Sequence, residues 1–162
     1  MAADEPVDSD VDLHQPGDDS GTGAATLGVV ALGGALGALA RYGAGLTWPT
    51  GAAAFPVSTF AVNVVGSALL GVLMVLLTAV FGNRPLLRPF LGTGVLGGFT
   101  TFSAYSVEAQ RLIAAGRPVT ALAYLGATLG CALLAVAVTV TVARRLVGGR
   151  LVAGRQLREA RR

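Results

Sequence analysis

The sequence predicts an all-α membrane protein with four transmembrane helices. Hydrophobic residues make up 53% of the 162 residues and charged residues only 13%. The mean hydropathy is +0.67. Four apolar segments are separated by turn-forming residues, and each is long enough to cross a hydrocarbon core, which needs about 20 residues. These observations favour one small membrane bundle over soluble domains.

The charges are divided between the two ends of the chain. All 12 basic residues are arginine, whereas seven of the nine acidic residues lie within the first 19 positions. We expect residues 1–23 to be a disordered acidic tail, residues 24–143 to form the membrane domain and residues 144–162 to form a basic tail. The acidic start differs from a cleaved signal peptide. The trailing arginines have few aromatic neighbours and favour a membrane flank over nucleic-acid binding.

The cysteine and histidine content excludes an intrachain disulfide and a cysteine/histidine metal site. The single Cys131 cannot form an intrachain disulfide, and the single His14 lies in the acidic tail. No cysteine/histidine cluster is available for a metal ion.

The first apolar segment, near residues 26–46, ends with a deep arginine. Gly33 and Gly37 are four residues apart, so one helix face permits the close approach of a second helix. Arg41 follows Gly37 by four residues and shares that face. A buried charge is costly, so Arg41 either snorkels to the interface or provides a fixed positive charge in an aqueous vestibule.

The second apolar segment, near residues 57–81, carries a polar stripe. Its members recur at intervals of four residues and therefore share one helix face: Thr59, Asn63, Ser67 and Gly71. An asparagine at membrane depth must face protein or water. Asn63 is therefore either a hydrogen-bonding contact between helices or an amide donor that lines an ion path.

The third apolar segment, near residues 89–115, contains GTGVLGGFTTFSAYS from Gly92 to Ser106. Paired glycines weaken a helix, and the hydroxyls of Thr100 and Thr101 compete for backbone hydrogen bonds. We expect the helix to be broken here. A break at bilayer depth persists only where it is buried in protein or faces water or an ion. The segment is thus either a kink in a packing interface or an ion site.

Aromatic and hydroxyl side chains follow this break. Phe102 and Tyr105 are three residues apart, with Ser103 between them. Aromatic edges carry partial positive charge, so the two rings either pack ordinarily or contact a small anion. The fourth segment, near residues 119–142, places further hydroxyls at intervals of four residues: Thr120, Tyr124 and Thr128.

The shortage of acidic residues narrows the function classes. Glu108 is the only acid between Asp19 and Glu159. A transporter of cations or cationic drugs would be expected to carry a carboxylate deep in the bundle. Hydrogen-bond donors beside an arginine suit an anion instead. A small four-helix multidrug or cation transporter and a purely structural assembly protein are the alternatives.

Three motifs carry a family resemblance. They are GGxxGAxxRY from Gly33, NxxGS from Asn63 and GGFTTFS from Gly97. In this order and spacing they resemble the CrcB/Fluc fluoride channels over about residues 26–142. The resemblance implies a channel rather than an enzyme, which exports fluoride passively across the cell membrane and so gives fluoride resistance. It also implies an antiparallel, dual-topology dimer with two pores.

The resemblance also implies the roles of particular residues. The fluoride pore would be lined by Asn63, Phe102, Tyr105, Ser103, Tyr124 and Thr128. Arg41 would stand in the vestibule, and the backbone carbonyls of Gly97 and Thr100 would hold a structural sodium ion at the dimer interface. Tyr105 occupies a position where the family usually has phenylalanine.

Arginine placement bears on the assembly. Four spans put both termini and the loop at residues 82–88 on one side, where arginines are more frequent, so we expect that side to be cytoplasmic. A dual-inserting chain would be expected to show less imbalance. Two partners therefore remain open: an identical antiparallel copy, or an oppositely oriented paralogue.

Overall fold

The computed structural model describes residues 20–51, 53–79 and 84–159, with side chains between residues 23 and 148 outside those gaps. All regular structure within these ranges is helical. The acidic tail predicted at residues 1–23 therefore falls almost wholly outside the described side chains, and residues 1–19 lie outside the structure altogether.

Five helices follow one another along the described chain. They are α1 (Ser20–Thr47), α2 (Val57–Ala79), α3 (a π-helical stretch, Pro89–Leu96, continued by one α-turn, Gly97–Phe99), α4 (Phe102–Ala114) and α5 (Pro118–Glu159). Three are long and apolar enough to cross a membrane, over Gly23–Thr47, Val57–Ala79 and Pro118–Gly148. They contain the first and fourth predicted segments and residues 57–79 of the second, so the prediction of an all-helical membrane protein is confirmed. α5 continues beyond residue 143, where we placed the start of the basic tail.

Proline and glycine set the helix ends as their backbone chemistry requires. α1 ends before Trp48-Pro49, and α2 starts after the buried Pro56. The turn after α4 contains Gly116 at φ +72°, a conformation that side chains disfavour. There the Arg117 N–H donates to the Leu112 carbonyl at 2.9 Å, and α5 begins at the next residue.

Glycines decide which helices approach closely. A methyl group on Gly33 would lie 2.5 Å from the Phe90 carbonyl oxygen, and one on Gly37 would overlap the Val95 carbonyl oxygen. The close approach predicted for this face of α1 is therefore confirmed, and its partner is α3. On the other side of the molecule, α2 packs along α5, where a methyl on Gly71 would lie 3.0 Å from the Val136 carbonyl oxygen.

The third predicted segment is not one continuous helix. α3 ends at Phe99, Thr100 and Thr101 have extended backbone (ψ 159° and φ −151°), and α4 resumes at Phe102. α4 has 13 residues and the π-helical part of α3 has 8. Either piece alone is shorter than the hydrocarbon core.

The buried core lies between α4 and α5. It consists of Ala109, Leu112, Ala121 and Tyr124, with Phe55, Phe60, Tyr105 and Leu125 packed around it. This cluster fixes the orientation of α4 directly after the extended residues. It therefore positions the side chains that follow the helix break.

Candidate functional site

Asn63 of α2 binds the extended backbone between α3 and α4. Its Nδ2 donates to the Thr101 carbonyl at 3.0 Å, and its Oδ1 accepts from the Thr101 N–H at 2.8 Å. One amide thus satisfies both polar groups of a residue that has left the helical ladder. The contact between elements, one of the two interpretations of Asn63, is present. Its second N–H remains for another acceptor, because an amide has two donor hydrogens.

The break takes the α-helical donors away from two backbone carbonyls at the end of α3. In a continuous α-helix, Gly97 and Thr100 would accept from the N–H groups of Thr101 and Ala104. The Thr101 N–H donates to Asn63 instead, and the Ala104 N–H donates to the Thr101 hydroxyl at 3.1 Å. The two carbonyls predicted to hold sodium therefore lose their helical donors. Uncharged carbonyl oxygens are suitable ligands for such a cation.

The two threonine hydroxyls cap the helices on either side. Thr100 Oγ1 donates to the Leu96 carbonyl at 2.9 Å, while Thr101 Oγ1 caps the start of α4 through Ala104. Ser103 Oγ lies 3.2 Å from Thr101 Oγ1. The Thr101 hydroxyl thus replaces the helical acceptor of the Ala104 N–H, whereas the Leu96 carbonyl keeps its helical donor, the Thr100 N–H at 2.9 Å, and accepts the Thr100 hydroxyl in addition.

Arg41 reaches from α1 to the same backbone. Its Nη1 lies 3.4 Å from the Thr100 carbonyl oxygen, a long hydrogen bond, and the side chain is partly buried. A carbonyl dipole offsets part of the cost of removing the guanidinium from water. The arrangement puts a fixed positive charge beside the extended residues.

A cavity of about 490 Å³ opens next to these groups. Of the predicted pore residues, it gathers Asn63, Phe102, Tyr105 and Thr128, and Gly97 and Thr100 lie on its wall. Ser103, Tyr124 and Arg41 are not among the residues that line it. The described lining residues include no acid. The cavity therefore presents amide, hydroxyl and aromatic groups without a carboxylate.

Aromatic rings form a row from the surface of the chain into its core. The Phe102 and Tyr105 centroids are 5.6 Å apart, and those of Tyr105 and Tyr124 are 5.4 Å apart. Phe55 then meets Tyr124 edge to face at 5.4 Å and 88°. Phe102 is 79% exposed, whereas Tyr124 is fully buried. Phe102 is thus the accessible end of the row and Tyr124 its interior.

The predicted hydroxyl groups differ in their partners. Tyr105 donates to the Leu125 carbonyl at 3.0 Å, and Thr128 donates to the Tyr124 carbonyl at 2.7 Å. The buried Tyr124 hydroxyl has no hydrogen-bond partner at bonding geometry among the described residues, although the Thr59 hydroxyl lies near it. Tyr124 therefore holds an uncommitted donor behind the cavity wall.

Sequence reasoning assigned no site role to several lining residues. Ser67 belongs to the polar stripe of α2 and could have been chosen by its spacing from Asn63. Leu129 and Ala132 of α5 also line the cavity. Ala132 follows Thr128 by four residues, a spacing that could have placed it on the same face. Neither residue carries a polar group that would have singled it out.

Comparison with known proteins identifies the family. Residues 28–140 match the family described as CrcB-like protein, Camphor Resistance (CrcB). The Fluoride-specific ion channel FluC 2 of Streptomyces avermitilis is 60% identical over 106 residues, covering 65% of this chain and 67% of the relative. FluC 1 of Streptomyces coelicolor is 56% identical over 126 residues, or 78% and 82% of the two chains. FluC 2 of Nocardia farcinica is 47% identical over 124 residues, or 76% and 89%.

The matched region contains all three sequence motifs and the cavity. The relatives are named as ion channels, which supports the prediction that the chain is not an enzyme and does not favour the cation-transporter alternative. Since the family match covers most of the chain and includes its long apolar helices, this multi-pass cell-membrane protein belongs to the CrcB-like family.

Proposed function

We propose that the chain is a fluoride-selective channel that lets fluoride leave the cytoplasm passively and thereby gives fluoride resistance. The observation that carries the proposal is the cavity beside the extended residues, which combines hydrogen-bond donors and aromatic rings with no described acid. The names of its relatives, fluoride-specific ion channels, support the choice of anion.

Fluoride is small and strongly hydrated, so a pore must replace its water with hydrogen-bond donors. The free N–H of Asn63 and the Tyr124 hydroxyl can supply such donors, and the hydroxyls of Ser103 and Thr128 can do so after rotation. The edges of Phe102 and Tyr105 can supply positive partial charge. Arg41 would attract the anion from the adjoining vestibule.

The same proposal includes the third membrane crossing. α3 and α4 together would cross the bilayer as one interrupted helix, so that the chain has four spans. Irregular backbone is tolerated at that depth when protein groups satisfy it, as Asn63 and the Thr101 hydroxyl do.

We further propose that two chains meet in antiparallel orientation at this interruption. The carbonyls of Gly97 and Thr100 from each chain would then hold a structural sodium ion. Four uncharged oxygens suit such a cation, and its charge lowers the electrostatic cost of two nearby anion paths. The Gly97 carbonyl, which has lost its helical donor, supports the site, and the Thr100 carbonyl would exchange its long contact with Arg41 for the ion.

An identical partner is our preferred assembly, because a central carbonyl site works equally well with two identical halves. The alternative is an oppositely oriented paralogue. Cysteine labelling distinguishes them, with Leu86→Cys placed in the loop before α3 on a Cys131→Ala background. Labelling from both membrane faces would support the homodimer. One-sided labelling, with flux that requires a second gene, would support the heterodimer.

Fluoride efflux from proteoliposomes tests the channel itself. We expect fluoride to leave down its gradient while chloride is retained under the same conditions. Imposing or collapsing a proton gradient should not change the dependence on the fluoride gradient. Comparable chloride flux would contradict selectivity. Transport that requires a proton gradient, or that moves cationic dyes, would favour the transporter alternative.

A further inference from the structure

A second cavity, of about 700 Å³, lies between α2, α5 and the start of α3. Arg84, Arg88 and Arg144 line it, and all three side chains are exposed. Much of the remaining wall is apolar: Met74, Val75, Leu77, Val140 and Val147. We call this the arginine cavity. It combines three guanidinium groups with an apolar surface at the ends of two membrane helices.

The described part of the chain provides little negative charge to balance these arginines. Among the described side chains, Glu108 is the only acid, and it pairs with Arg111 at 3.6 Å on another part of the molecule. The arginine cavity is therefore a region of concentrated positive potential that attracts an anion. Arginine suits phosphate in particular, because its planar donors bind two oxygens at once.

We propose that the arginine cavity binds the phosphate headgroup of an anionic phospholipid, whose acyl chain covers the apolar wall. The combination of charge and apolar surface favours a lipid over the other candidate occupant, the acidic segment at residues 1–19 of the chain. Residues 1–19 carry seven carboxylates but only a few large apolar side chains: Met1, Val7, Val11 and Leu13. That tail could neutralise the arginines but would leave much of the apolar wall uncovered.

The site is separate from the proposed conduction path. Arg84, Arg88 and Arg144 do not line the cavity that contains Asn63. At roughly fivefold for each arginine next to the bound headgroup, the three arginines of the cavity should strengthen the binding of anionic lipid on the order of 100-fold. This gain should be absent for a zwitterionic lipid of the same acyl composition.

The test uses the purified full-length protein, delipidated in mild detergent and titrated with dioleoyl phosphatidylglycerol or dioleoyl phosphatidylcholine. Bound lipid is counted by native mass spectrometry. The triple variant Arg84→Gln/Arg88→Gln/Arg144→Gln should lose the preference for phosphatidylglycerol. Arg144→Gln and Arg117→Gln form a matched pair, since each removes one exposed arginine, Arg144 near the C-terminal end of the membrane-crossing part of α5 and Arg117 directly before its first residue. Only the former should weaken binding.

Several outcomes would overturn the proposal. One is wild-type phosphatidylglycerol binding by the triple variant. If that variant fails to fold, equal effects of the two single substitutions would decide against the site. A preference that appears only after deletion of residues 2–19 would assign the cavity to the acidic tail. Inorganic phosphate that raises the Tm as much as the lipid does would assign it to free phosphate. These measurements do not depend on fluoride flux, so either proposal can fail without the other.

Discussion

The two sides of the extended pair Thr100-Thr101 are held by different kinds of contact. On the α3 side, backbone meets backbone: a methyl on Gly98 would overlap the Gly34 carbonyl oxygen, and one on Gly94 would lie 3.0 Å from Gly33 Cα. On the α4 side, contacts are made by aromatic and aliphatic side chains of the buried core.

This difference gives the two sides different tasks: the α3 side positions backbone carbonyls, and the α4 side shapes the cavity. Backbone contacts leave little room for adjustment, so the α1–α3 interface fixes where the carbonyls of Gly97 and Thr100 lie. Side-chain contacts can change one at a time, so the α4–α5 interface can alter the cavity while the fold is kept. Substitutions on the α3 side should therefore impair folding and flux together. Substitutions on the α4 side should change the flux while folding is kept.

The largest effect is expected from Gly37→Ala. The added methyl would overlap the Val95 carbonyl oxygen and lie 2.7 Å from the Phe99 backbone nitrogen, so α1 and α3 must move apart. Overpacking of this kind costs about 1–3 kcal/mol or more. We expect a lower Tm and at least a tenfold loss of fluoride flux. Gly28→Ala is the control, because a methyl there meets nothing within 4 Å. Equal tolerance of both substitutions would contradict the proposed rigidity of the interface.

Asn63→Asp should have the next largest effect. Aspartate can still accept from the Thr101 N–H, but it cannot donate to the Thr101 carbonyl, and its charge would repel fluoride. Losing the donor at a partly buried carbonyl costs about 1–3 kcal/mol. We expect flux to be strongly reduced while the proposed dimer still assembles, as measured by efflux and size-exclusion chromatography. Ser67→Ala, in the same cavity, should have a smaller effect. Wild-type flux in Asn63→Asp would remove Asn63 from the pore.

Phe102→Ala should impair conduction without impairing the fold. The ring is 79% exposed in the single chain, so its removal sacrifices little burial within the chain. The proposed pore, however, would lose the accessible end of its aromatic row. We expect low fluoride flux with a Tm close to that of the wild type. A large drop in Tm would instead indicate that Phe102 mainly packs against the partner chain.

Sequence reasoning succeeded where one residue type leaves few structural choices. Long apolar segments predicted α1, α2 and α5, and the spacing of Gly33 and Gly37 predicted a close helix contact. It could not identify α3 as the partner of that contact, because glycine spacing does not specify what approaches it. It also missed the π-helical stretch at Pro89–Leu96, whose residues are ordinary for an apolar α-helix.

The candidate site was predictable in composition but not in connectivity. The polar stripe of α2 and the threonine pair were visible, yet the bidentate pairing of Asn63 with Thr101 joins residues 38 positions apart. The same holds for Arg41 and Thr100, and for Tyr105 and Leu125. Which carbonyl a side chain meets depends on helix rotation and crossing, and these follow from packing rather than from spacing.

The smallest and most discriminating effects concern two tyrosines whose rings touch. The Tyr105 hydroxyl donates to the Leu125 carbonyl, so Tyr105→Phe should cost about 0.5–1.5 kcal/mol of stability. Flux should be retained, because phenylalanine keeps the ring edge. The buried Tyr124 hydroxyl makes no hydrogen bond of good geometry to the described residues, so Tyr124→Phe should leave the Tm unchanged or raised. It should lower flux if that hydroxyl serves the anion. Thermal melts and efflux are measured on both variants. Tyr105→Phe should lower the Tm and keep the flux, whereas Tyr124→Phe should keep or raise the Tm and lower the flux. If Tyr105→Phe abolishes flux, the extra hydroxyl takes part in conduction. If Tyr124→Phe leaves flux unchanged, the uncommitted donor lies outside the ion path.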